Sequence, residues 1–74
     1  MEIPEAFKKA MQSKEEIVLA VSTYPLLCDA SLKPLWELRG FALRAAFCFA
    51  DNLLERNGYQ LVPGGEMRWT CLDP

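Results

Sequence analysis

Three cysteines, Cys28, Cys48 and Cys71, are the candidate nucleophiles of this 74-residue sequence. A thiol attacks as its thiolate and needs a base or a cation beside it. The usual base is missing, because the chain contains no histidine. Cys48 and Cys71 fall at positions that read as core, where thiols are inert. Cys28, beside Asp29, is the one position with any reactive character. An odd number of widely spaced cysteines, with no secretory apolar segment before them, argues for free thiols and a cytoplasmic location. Without histidine or a Cys-x-x-Cys pair no ordinary zinc site can be assembled. Paired carboxylates fare no better. Glu15 and Glu16 diverge on a helix, and Asp51 and Glu55 are i,i+4 neighbours on a polar stripe, so neither pair faces a cleft. Val62-Pro63-Gly64-Gly65 lacks the spacing of a phosphate loop and reads as a turn. The expectation is therefore a protein that is not an enzyme, with no cofactor, no metal and no small-molecule substrate.

Nucleic acid is also disfavoured as a partner. The net charge is −2, the wrong sign for a general nucleic-acid binder. Lys8, Lys9 and Lys14 lie near one another, but Lys33, Arg39, Arg44, Arg56 and Arg68 are scattered. The longest apolar stretch, Phe41 to Ala50, contains Arg44 and is too short to span a bilayer, so no membrane role is expected.

Apolar residues make up 51% of the chain, enough for one core and one domain spanning 1–74. The spacing of Ile3, Phe7, Ala10, Met11, Ile17, Val18 and Val21 predicts a helical segment over 4–22, opened by Pro4. Ser13 and Glu16 form a capping-box pattern, so that helix is continuous or broken near Ser13. A proline-bearing connection over 23–31 follows, with Leu26, Leu27 and Cys28 tucked under the core. Asp29-Ala30-Ser31 reads as the start of a second, long helix over 32–57, with Ser31 as N-cap and Pro34 in the first turn. Asn57-Gly58 stops it. A β-hairpin over 59–72 completes the chain, turning at Pro63-Gly64-Gly65. A three-residue loop sets Tyr59 against Trp69, Leu61 against Met67 and Val62 against Glu66. It places Tyr59, Leu61, Met67, Trp69 and Cys71 on one face, with Gly65 left-handed. The predicted fold class is thus α+β: a two-helix hairpin with a C-terminal two-stranded antiparallel β-hairpin.

On a helical wheel, residues 35–56 confine Glu37, Gly40, Arg44, Asp51 and Glu55 to one sector. The helix is then apolar over about two-thirds of its circumference, wider than an ordinary core-facing stripe. Either this is the central core helix, buried all round by the other elements and the Leu26-Leu27 loop, or one short helix and one hairpin leave part of it uncovered, and exposed apolar strips mark interaction sites. The candidate contacts are Trp36, Arg39, Leu43, Ala46 and Ala50, with Arg39 snorkelling, paired to a partner's acid or stacked on Trp36. The expected function is non-catalytic protein–protein interaction: an adaptor, a complex subunit, or a stoichiometric inhibitor of a larger protein, as phage anti-defence proteins are. The partner is another protein or a second copy forming a homodimer. A small nucleic-acid-binding regulatory module and a homodimeric structural domain are the alternatives.

Overall fold

The computed structural model describes residues 2–73. The chain runs α1 (Glu5–Gln12), β1 (Ile17–Val21), β2 (Pro25–Cys28), β3 (Pro34–Glu37), α2 (Leu43–Arg56), β4 (Tyr59–Leu61) and β5 (Arg68–Cys71). The five strands form one sheet in the order β3-β2-β1-β5-β4, antiparallel at every junction. This overturns the expected helical hairpin with a separate two-stranded hairpin. Residues 17–21, 25–28 and 34–37, assigned to the first helix, the connection and the long helix, are strands.

Each correction has a local cause. Helix α1 ends because Lys14 takes a left-handed conformation (φ 58°). The Glu15 amide then donates to the Ala10 carbonyl at 3.0 Å, and the Lys14 amide to Met11 at 3.0 Å. That bond pair is a Schellman C-cap, with lysine where glycine usually stands. The Ser13–Glu16 pattern therefore closes a helix instead of opening one. Beyond it, Ile17-Val18-Leu19-Ala20-Val21 is rich in β-branched side chains, and such a short apolar run fits a strand as well as a helix.

The Asp29-Ala30-Ser31 cluster is a turn. Asp29 Oδ1 accepts from the Ser31 amide at 3.0 Å, the Ser31 hydroxyl at 2.9 Å and the Lys33 amide at 3.0 Å. These bonds satisfy the loop backbone and fold β3 back on β2. Pro34 sits at the first position of β3, where its missing N–H breaks no ladder bond. Trp36 and Leu38 are buried while Glu37 between them is exposed, a strand period of two that the helical wheel concealed. Gly40, at φ 85°, lies in the bend that separates β3 from α2. The expected long helix is thus a strand, a bend and a helix of 14 residues.

Helix α2 stops where expected, at Asn57, with Gly58 at φ 83°. The final hairpin also forms, but two residues out of the expected register: Tyr59 pairs with Cys71 and Leu61 with Trp69. A shift of two keeps every side chain on its face. The turn is accordingly longer, and Gly64 and Gly65 both have positive φ. Strand β5 then pairs with β1, Ile17 against Trp69 and Val18 against Arg68.

Both helices cover the same side of the sheet. Phe7 of α1 and Phe49 of α2 meet the Trp36 ring at centroid distances of 5.3 and 5.4 Å. Ala46, Ala50 and Leu54, one turn apart on α2, are fully buried with Ile17, Leu27 and Trp69 in a single core. Trp69 donates its indole N–H to Asp51 Oδ1 at 2.9 Å. The Tyr59 hydroxyl donates to the Glu15 carbonyl at 2.7 Å, which ties β4 to the end of the α1–β1 connection.

Candidate interaction surface

Strands β1 and β2 read Ile-Val-Leu-Ala-Val and Pro-Leu-Leu-Cys, apolar at every position. A strand with one solvated face normally alternates apolar and polar residues, and a continuous apolar run belongs to a strand covered on both faces. Here the helices cover one face. The other is laid out by the register. Cys28 pairs with Val18 and Val18 with Arg68, while Ala20 pairs with Leu26 and Leu26 with Glu37. On the far side, Val62 donates its amide to the Arg68 carbonyl at 2.8 Å. Val18, Ala20, Leu26 and Val62 are half-buried and stand outside the core cluster formed with the helices, while Cys28, beside Val18 on the same face, is itself covered at 1% exposure. Val18, Ala20 and Leu26 make a small apolar patch on β1 and β2, and Arg68 stands between it and Val62.

Ion-paired groups stand on two sides of this patch. Arg68 donates to Glu16 at 2.8 Å and lies 3.7 Å from Glu66. The hydrogen bond to Glu16, then the charges of Glu16 and Glu66, raise the Arg68 pKa. At the other end Arg39 pairs with Glu37 at 3.2 Å, and its guanidinium lies 4.4 Å from the centre of the Tyr24 ring.

The five residues expected to form one helical strip do not lie together. Trp36 is in β3, Arg39 in the bend after it, and Leu43, Ala46 and Ala50 in α2. Trp36, Ala46 and Ala50 are core, while Leu43 is exposed at the first position of its helix. Arg39 stacks on Tyr24, not on Trp36. The apolar residues on the uncovered face are instead Val18, Ala20 and Leu26. Their signal in the sequence is the two short runs with no polar alternation.

The remaining candidates for chemistry are dispersed. The Cys28 side chain is buried, and burial, then the Asp29 carboxylate, pushes its thiol pKa up. Cys48 is exposed on α2, and the Cys71 thiol lies 3.4 Å from the Asp73 carbonyl oxygen. Hydrogen bonds from Lys33 and Ser31 hold the Asp29 carboxyl below its ordinary pKa. Among the described residues no group of three or more Cys, Asp or Glu side chains is placed to hold a metal ion. No helix among them is long and apolar enough to cross a membrane. Comparisons with protein-family models, curated proteins and solved structures find no match to this chain.

Proposed function

We propose that this protein is a non-catalytic protein-binding module that docks a partner on the uncovered face of its sheet. The supporting observation is the mismatch between strands built to be covered on both sides and helices that cover only one. The face is small. Five strands about 4.8 Å apart and about four residues long give roughly 300 Å2 of projected area. Were all of it apolar, about 25 cal/mol per Å2 would give roughly 7.5 kcal/mol of gross burial; Arg68 and Glu37 on the face make that an upper bound, against the roughly 4–15 kcal/mol that association costs. A stable interface buries about 800 Å2 on each partner. A homodimer confined to this face falls short of that area. A larger protein whose surface continues past the Glu16–Arg68 and Glu37–Arg39 rims does not, and it is the partner proposed.

Two substitutions test this without disturbing the core. Val18→Glu sets a carboxylate opposite Arg68, and Leu26→Lys sets an ammonium opposite Glu37, so each new charge meets a cross-strand partner. Both variants should fold, judged by circular dichroism and thermal unfolding. Both should lose a partner that the unmodified protein captures from cells of its source and that rebinds after purification. Equal capture by folded variants refutes the assignment of this face. A doubled mass in light scattering points to a second copy instead, and a salt-sensitive shift of labelled DNA or RNA points to the nucleic-acid alternative.

A further inference from the structure

The β4 edge of the sheet offers a second, differently built surface. The Val62 amide bonds to Arg68 and the Leu72 amide to Gly58. In an antiparallel ladder, bonded and non-bonded pairs alternate. The N–H and C=O of Tyr59 and Leu61 therefore point away from β5, out of the sheet. No backbone hydrogen bond to another described residue takes them up. The opposite edge differs, since β3 opens with Pro34 and ends at the ion-paired Glu37, both common ways of blunting an edge.

Alongside β4 runs a groove of about 650 Å3, lined by Asp51, Glu55, Tyr59, Gln60, Leu61 and Leu72. Asp51 and Glu55 stand one turn apart on α2, about 5–6 Å between their β-carbons. Alternate residues of a strand lie about 6.6 Å apart on one face. Side chains of an added strand opposite Tyr59 and Leu61 point to the helix side of the sheet, as Tyr59 and Leu61 do. They would meet Asp51 and Glu55 in step. The indole of Trp69 holds one oxygen of Asp51, which fixes the direction of its carboxylate.

We infer that β4 accepts an extended protein segment with alternating basic residues as a sixth strand, its Lys or Arg side chains seated on Asp51 and Glu55. This deepens the protein-binding reading by naming a partner chemistry, and it uses a different surface from the sheet face. Charge also argues against a second copy here, because a β4–β4 pairing across a two-fold axis would bring two acidic α2 flanks together.

The probe is an acetylated hexapeptide of alternating Lys and Val, with alternating Glu and Val as its counterpart, titrated into 15N-labelled protein to millimolar concentration. The Tyr59 and Leu61 amide resonances should move with the Lys peptide and not with the Glu peptide. Raising salt should weaken the binding. Glu55→Gln, an exposed position, should weaken it about threefold, as expected for one solvent-screened ion pair. Val18→Glu should leave it unchanged, which separates this site from the sheet face. Unmoved Tyr59 and Leu61 amides, or equal response to the Glu peptide, overturn the inference. So do shifts of those amides with protein concentration alone, which assign the edge to a second copy.

Discussion

The hydroxyl of Tyr59 is a single atom whose removal reports on the whole arrangement of β4. It donates at 2.7 Å to the carbonyl of Glu15, 44 residues earlier in the chain. Burial first, then the charges of Cys71 and Glu15, push its pKa from 10.0 up to about 12. Tyr59→Phe keeps the ring, which is 3% exposed, and deletes the bond. The expected loss at neutral pH is about 1 kcal/mol, the usual net worth of one hydrogen bond. For a domain of this size that lowers the melting temperature by about 4–8 °C.

A second signature appears in alkali. The folded phenol holds its proton to higher pH than the unfolded one, so its stabilising effect is complete below pH 10 and is lost as pH rises towards 12. The slope between those limits approaches about 1.4 kcal/mol per pH unit. Wild type and Tyr59→Phe share every other ionisable group, so the quantity to follow is the difference between them. Urea unfolding followed by tryptophan fluorescence, at pH 7, 10 and 11, measures it, because Trp36 and Trp69 are both buried. Wild type should be the more stable at pH 7, and the gap should narrow by pH 11. A gap below about 0.3 kcal/mol at pH 7, or one that does not change with pH, contradicts the placement of this side chain.

Trp69→Phe removes the indole N–H bonded to Asp51 and leaves space in a fully closed site, and should cost about 2–4 kcal/mol in urea unfolding. Lys14→Gly relieves the left-handed φ of 58° at the helix end, and should be more stable in urea unfolding by about 0.5–1 kcal/mol than Lys14→Ala, which loses the same side chain and keeps the strain. Asp29→Ala should destabilise near neutral pH. Because the folded carboxyl is held below its ordinary value of 3.8, that deficit is present above this pH and should disappear as acid protonates the folded carboxyl, which acid titration of both proteins would show.

The parts of the fold legible in the sequence were those with stereochemical punctuation. Asn57-Gly58 ended a helix, and Pro63-Gly64-Gly65 joined two strands. The hairpin's side-chain faces followed from alternation, although its register differed by two. The parts misread were short apolar runs. Ile17–Val21 continues the helical phase of Phe7 and Ala10, and only the left-handed Lys14 shows that the phase is accidental. Leu35 to Leu38 sits before a helix rich in alanine and phenylalanine, and the wheel absorbed it. The misreading also scattered the expected contact residues. Surplus apolar residues were recognised, but Trp36, Ala46 and Ala50 fill the core, and the surplus lies on the back of β1 and β2.

A partner protein on the back of β1 and β2 would touch the middle of that face, which contact mapping can detect. A photo-crosslinking residue placed at Ala20, in the middle of the uncovered face, is compared with one at Ala45, exposed on α2. Irradiation in cells of the source should join the Ala20 position to one protein, absent when Val18→Glu is added, and should leave the Ala45 position unjoined. Equal adducts from both positions, or none from Ala20 while the folded protein still holds its partner, would mean that the partner does not sit on this face.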